Sequence, residues 1–210
     1  MPAAATDLEI PSLLIALPQV LDPFFRKSLV LLIHHSEEGS LGLIVNRPTG
    51  IPVRDILEGM EIGWGGEAAA MTYFGGPVQP QLGTVLFSTV AEGTNGPAGN
   101  GGGAGEDGPT AASEIAAGIS LTQHIGDLGR LAASPPERFR LLLGYAGWGE
   151  GQLLEEILRN DWLTAPVAAE LVFAADPEEA WSGALRSVGV DPTTLPSWTV
   201  QAGGDGGDAN

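Results

Sequence analysis

A chain of 210 residues with 43% hydrophobic composition has enough apolar material for one good-sized domain with a real core. It holds no cysteine, which excludes disulfides, thiolate nucleophiles and cysteine-ligated zinc. Its 26 acidic residues against 9 basic ones give a net charge of −17, and a surface that negative repels phosphate backbones, so direct nucleic-acid binding is not expected.

Residues 1–11 read as a flexible arm, 12–200 as a single domain and 201–210 as a disordered tail. The start has no basic segment, and its apolar stretch 13–17 is too short for a secretion signal. No run approaches the roughly 20 residues that span a bilayer. A soluble, cytoplasmic protein without membrane contact is expected.

In chain order, 12–17 is predicted as a short strand ended by Pro18. Asp22 caps a turn that Pro23 opens, with Phe24 and Phe25 anchoring it in the core. Residues 28–35 and 41–47 form a hairpin across the turn 36–39, and Pro48 and Gly50 stop it. Pro52 then opens a helix with Val53, Ile56, Leu57 and Met60 on one stripe. Strands follow at 71–74 and 82–90. Residues 92–112 have almost no large apolar side chain and read as a flexible Gly-rich excursion. Regular structure resumes at 115–121, and a helix capped by Thr122 carries Ile125, Leu128 and Leu131.

The stretch 138–162 organises the rest. It reads as a buried strand (139–145), a glycine-rich corner (Gly144, Gly147, Gly149, Gly151) and an amphipathic helix from Gln152 to about Arg159. Leu153, Leu154, Ile157 and Leu158 mark its apolar stripe, leaving Glu155, Glu156 and Arg159 for the other face. Residues 171–174 are predicted as a further strand. Asp176-Pro177-Glu178-Glu179 then starts a helix whose stripe is Trp181, Ala184, Leu185 and Val188, with Gly189 at its end. Strand pairs with short turns, interleaved with three or four short helices, predict an α+β domain with a mixed, largely antiparallel sheet.

Little in this chain points to chemistry. The corner 147–152 is not a GxGxxG loop, and Glu150, Glu155 and Glu156 oppose a phosphate there; it is a structural bend or a ligand contact. His34 and His35 are strand neighbours facing opposite ways, one toward the core and one toward the surface, and cannot chelate one ion together. No metal site, cofactor or catalytic group is assigned, and no GxSxG elbow occurs. The candidate ligand-binding residues are Asn46, Arg47, Gly76, Tyr145, Trp148 and Gln152, polar strand ends beside aromatics that converge on one cleft; a structural hydrogen-bond network is the alternative.

Three blocks, LLIALPQVLDPFFRKSLVLLIHHSEEGSLGLIVNRP, YFGGPV and LLLGYAGWGEGQLLEEI followed by DWL, resemble the AlgH/YqgE family in order and spacing. The resemblance covers roughly 13–196, the Gly-rich excursion excepted. It implies a mixed sheet bent into a partial barrel with helices outside, no established enzymatic activity and no agreed catalytic residues. The family carries a transcriptional-regulator label, and this chain shows no helix-turn-helix signal to match it. The expected protein is therefore a non-enzymatic binding or regulatory one with a protein or small-molecule partner. The alternative is an enzyme using a cleft near Arg47 and Trp148.

Overall fold

The computed structural model describes residues 8–88 and 112–196. Its strands are β1 (Ser12–Ala16), β2 (Leu29–Ser36), β3 (Gly39–Ile44), β4 (Pro48–Pro52), β5 (Met71–Phe74), β6 (Val78–Ser88), β7 (Ser113–Ala116), β8 (Ile119–Thr122), β9 (Phe139–Trp148) and β10 (Trp162–Ala165). The helices are α1 (Val53–Glu58), α2 (Ile125–Ala133), α3 (Gln152–Leu158), α4 (Ala169–Val172) and α5 (Pro177–Ser187). The strands run β10-β1-β2-β3-β9-β6-β8-β7, and β5 joins β4 to β9. Every pairing is antiparallel except that of β5 with β9. Strand β9 makes the curl: its end (Ala146, Gly147, Trp148) pairs with β3, while its start (Phe139 to Leu143) pairs with β6. The result is the expected α+β architecture, a mixed sheet curled into a half-barrel with helices on its flanks.

Strand β1 from Leu13 on and the first half of β2 (residues 29–32) are apolar because both of their faces are covered. Leu13, Ile15, Leu29, Leu31, Leu43 and Val45 face Val172, Trp181, Ala184 and Leu185 of α4 and α5. The alternate residues Leu14, Ala16, Val30, Leu32 and Ile44 face Trp148, Leu153 and Trp162. Period-2 alternation thus splits one apolar run between two cores. A third cluster sets α1 and α2 (Val53, Leu57, Leu128, Leu131) on Val85, Phe87 and Leu141. Burying each such side chain contributes about 1.5–3 kcal/mol.

Glycine is required where the link after β5 crosses β9. A Cβ on Gly76 (φ +152°) would lie 2.1 Å from the Tyr145 carbonyl carbon, and one on Gly144 (φ +73°) would lie 2.3 Å from the Gly76 oxygen. The two backbones pass in contact, with no room for a side chain between them.

Several expectations change. Gly144 and Gly147 lie inside β9, so the corner is only 149–151. The hairpin ends before Pro48 and Gly50, as expected, but the chain is extended again at once: Pro48–Pro52 is strand β4, which tolerates its prolines because it pairs on one side alone, with β5. Residues 171–174 are not a strand but belong to the turn of α4, closed by the Val172 and Phe173 amides on Ala168 and Ala169. The cap of α2 is His124, whose Nδ1 accepts from the Gly126 amide, with Thr122 Oγ1 accepting from the His124 amide. Phe25 packs on Trp148 and Trp162, whereas Phe24 is 47% exposed and stacks on Phe74 at 5.5 Å. Leu8, assigned to the arm, packs against the Trp148 cluster. The excursion up to residue 111 and the tail 201–210 lie outside the described residues.

Candidate functional site

Asn46 follows β3 and is buried. Its Oδ1 accepts from the Leu29 amide at 2.8 Å, and its Nδ2 donates to the carbonyls of Lys27 (2.9 Å) and Pro177 (3.1 Å). One amide side chain therefore ties together the turn before β2, the start of β2 and the first residue of α5. The same bond holds Lys27 at φ +55°, a conformation that non-glycine residues rarely adopt.

Arg47 donates from Nη1 to the Pro23 carbonyl (2.7 Å) and from Nη2 to the Arg26 carbonyl (2.8 Å). Burial lowers its pKa from the ordinary value, and the Asp22 charge works against that shift. Asp22 itself builds the turn: its Oδ1 accepts from the Phe24 amide at 2.7 Å and its carbonyl from the Phe25 and Arg26 amides. Pro23, Arg26, Lys27, Asn46, Arg47, Pro48, Pro177 and Glu178 line a cavity of about 440 Å³. Three of the chain's 9 bases meet there, and among the described residues the lining has one carboxylate, Glu178, which Lys27 Nζ holds at 2.7 and 2.9 Å. A second concavity, of about 490 Å³, shares Arg26, Lys27 and Glu178 and continues past Trp181 and Thr193.

The other nominated residues sit elsewhere. Trp148 lines a concavity of about 290 Å³ with Gln152, Phe25 and Asp22, and another of about 370 Å³ with Tyr145, His34 and Ser40. Gly76 is packed on the Tyr145 backbone. Five of the six residues therefore line separate hollows while Gly76 is packed inside the fold, and a catalytic cleft shared by Arg47 and Trp148 has no support in the geometry. Glu156, expected on the outer helix face, turns inward. Its Oε2 accepts from the indole nitrogens of Trp148 (2.9 Å) and Trp162 (2.8 Å), and its Oε1 from Gln152 Nε2 (2.8 Å). Gln152 Oε1 in turn accepts from the Gly149 amide at 3.1 Å, bracing the corner. The two indole rings meet edge to face, with centroids 5.9 Å apart.

Sequence reasoning gave Arg26, Lys27, Glu178 and Glu156 no part in the site. The signal for Glu156 was its place one turn after Gln152, between tryptophans whose N–H groups need an acceptor once buried. It also passed over Arg140, buried on β9, which donates to the Val45 and Ala174 carbonyls and lies over the Tyr73 ring at 4.1 Å. His34 is exposed, and His35 is half-buried with its Nδ1 at 2.7 Å from Ser40 Oγ, so neither histidine enters the core. Among the described residues no group of three or more histidine or acidic side chains could hold a metal ion. None of their helices is long and apolar enough to cross a membrane.

A curled, mostly antiparallel half-barrel, two-sided at β1–β2 and carrying a cation-lined hollow beside α5, is the class of molecule these elements define. The model of the AlgH-like family matches residues 13–193, and the chain belongs to that family. It is 36% identical over 186 residues to a UPF0301 protein of Myxococcus xanthus, covering 88% of this chain and 93% of that one. It is 39% identical over 185 residues to one of Burkholderia vietnamiensis, covering 87% and 89%. The solution structure of the AlgH protein from Pseudomonas aeruginosa matches with TM-score 0.66 at 29% identity, over 94% of this chain and 97% of that one. A crystal structure from Corynebacterium diphtheriae shares the fold, with TM-score 0.67 at 23% identity over 92% and 93%. The family is uncharacterised, and the names of these relatives state no activity.

Proposed function

We propose that the protein is a non-enzymatic binding protein, and that it receives a ligand or a partner's side chain in the hollow beside Arg47. The observation that carries this reading is how firmly that hollow is built. Asn46 fixes its floor through three backbone bonds, and Arg47 is braced on two carbonyls. Polar groups already held in place lose little freedom on binding. The lining offers no hydroxyl, thiol or imidazole, and its one amine, on Lys27, and its one carboxylate, on Glu178, are ion-paired to each other, an arrangement that serves binding better than nucleophilic or acid–base steps. Of the six nominated residues, Asn46 and Arg47 serve binding, and Gly76, Tyr145, Trp148 and Gln152 serve the fold. A charge of −17 disfavours DNA contact, so any influence on transcription passes through a partner.

The test is a thermal-shift screen of small molecules and peptides on the wild type and on Arg47→Ala, with mass spectrometry of each stabilising compound after incubation. Stabilisers lost in Arg47→Ala and recovered unchanged are expected, since ligand binding raises the melting temperature by mass action. Turnover that Arg47→Ala abolishes would overturn the reading, as would stabilisers that all ignore the substitution.

A further inference from the structure

We propose that this hollow takes a carboxylate, and that Glu178 occupies its place as an internal stand-in which the incoming group displaces from Lys27. The proposal rests on the binding reading above and gives that site a ligand class.

Charge is the first argument. The chain's net charge is −17, yet among the described residues Arg26, Lys27 and Arg47 line one concavity with a single carboxylate, Glu178, and a recess lined mainly by one sign of charge concentrates the opposite sign. Lys27 is the second. It is one of four non-glycine residues with positive φ among the described residues, and buried Asn46 holds it there through its carbonyl. Backbone held in a sparsely populated conformation gathers at ligand clamps.

The Lys27–Glu178 pair is the third. Both carboxylate oxygens of Glu178 lie on Nζ, at 2.7 and 2.9 Å, so the structure already shows a carboxylate seated on this cation. The two side chains are 38% and 58% exposed, and pairs so exposed contribute little net stability, which makes exchange for an outside carboxylate nearly neutral. Departure of the Glu178 side chain leaves the helix start intact. Asp176 still caps the Glu178 and Glu179 amides, and Asn46 still holds the Pro177 carbonyl.

Arg47 is the fourth. Guanidinium has five N–H donors, of which the Pro23 and Arg26 carbonyls take two; the rest can meet a planar carboxylate. Asp176, Glu178 and Glu179 at the start of α5 repel any anion alike; what favours a carboxylate over phosphate is that a carboxylate already seats on Lys27 Nζ through both of its oxygens. The adjoining concavity past Trp181 and Thr193 gives the body of the ligand somewhere to lie.

The experiment is a ¹H–¹⁵N titration of the full chain with citrate, with the peptide acetyl-tetraglutamate amide and with inorganic phosphate. Either carboxylate probe should give saturable shifts at Lys27, Arg47 and Glu178, and which of the two binds tighter distinguishes a small acid from an acidic peptide as its source. Phosphate should bind more weakly than both. Glu178→Gln, which removes the competing charge, should tighten carboxylate binding about two- to fivefold. Arg47→Ala and Lys27→Gln should each weaken it, the second serving if the first fails to fold. No saturable shift with either carboxylate, or tighter binding of phosphate, would overturn the ligand class. Unchanged or weaker binding in Glu178→Gln would overturn the stand-in. If citrate and the peptide fail while other stabilisers remain sensitive to Arg47→Ala, the binding reading survives and this proposal falls alone.

Discussion

Replacing Arg140 by lysine should harm the fold more than replacing it by methionine. The residue is 3% exposed, donates to the Val45 and Ala174 carbonyls, and has no carboxylate within ion-pair distance among the described residues. Burial lowers its pKa to about 10, against an opposing influence of Tyr73. That displacement corresponds to about 3 kcal/mol by which burial disfavours the charged form at neutral pH. Methionine removes the charge and its desolvation, but leaves the buried Val45 carbonyl and the half-buried Ala174 carbonyl without this donor, at about 1–3 kcal/mol each. The two effects nearly cancel, for a net loss of about 1 kcal/mol. Lysine keeps the charge in a more strongly hydrated ammonium and cannot span carbonyls on two separate segments, so its loss should be about 3 kcal/mol.

The wild type also has a pH signature at this residue. The folded-state value lies below that of the unfolded chain, so above about pH 10 the unfolded chain holds the extra proton and stability due to this group rises with pH. Measured by urea unfolding near pH 9 and pH 11, wild type should gain about 1 kcal/mol relative to Arg140→Met, other titrations cancelling in the difference. A lysine variant as stable as the methionine one, or a gap indifferent to pH, would refute the reasoning.

Gly76→Ala should cost more than about 3 kcal/mol or prevent folding, since its Cβ meets Tyr145 backbone at 2.1 Å, whereas Gly147→Ala, with its nearest neighbour a Tyr145 ring carbon at 3.5 Å, should stay within about 0.5 kcal/mol in the same assay. Glu156→Ala strips the acceptor from two indole N–H groups and should lose about 2–4 kcal/mol with a red-shifted tryptophan emission, while Glu156→Gln, which keeps an oxygen there, should lose about 1 kcal/mol. Asn46→Asp turns two donors into acceptors facing the Lys27 and Pro177 carbonyls; a loss of about 2–4 kcal/mol and faster amide exchange in the first turn of α5 are expected.

The parts of the fold that sequence reasoning reached are those written in local pattern. The apolar runs in β1 and β2 mark strands covered twice, the turn at 36–39 marks the hairpin, and Asp176 before Pro177 marks the start of α5, where its Oδ1 accepts from two amides. What it missed depends on contacts made far along the chain. Glycine spacing cannot separate a bend from a crossing of two backbones, because both require the same missing Cβ; Gly144 is the second kind and Gly151 the first. The four apolar-to-small residues 171–174 carry no period long enough to choose between strand and helix. Asn46 and Arg47 were legible as polar residues at a strand end. The hollow they form was not, because Asn46 reaches Lys27 across 19 positions and Pro177 across 131. Glu156 read as a solvated helix carboxylate because the partners that turn it inward include the indoles of β9 and β10.

The most direct measurement is a map of intermolecular nuclear Overhauser contacts between the protein and the most stabilising compound from the screen. Contacts to Lys27, Arg47 and Glu178, with none to the corner 149–151, are the predicted result. A compound seated instead on the amides of that corner, or in the separate concavity of about 650 Å³ that Trp64, Gly65, Pro135 and Phe139 line, would contradict the account.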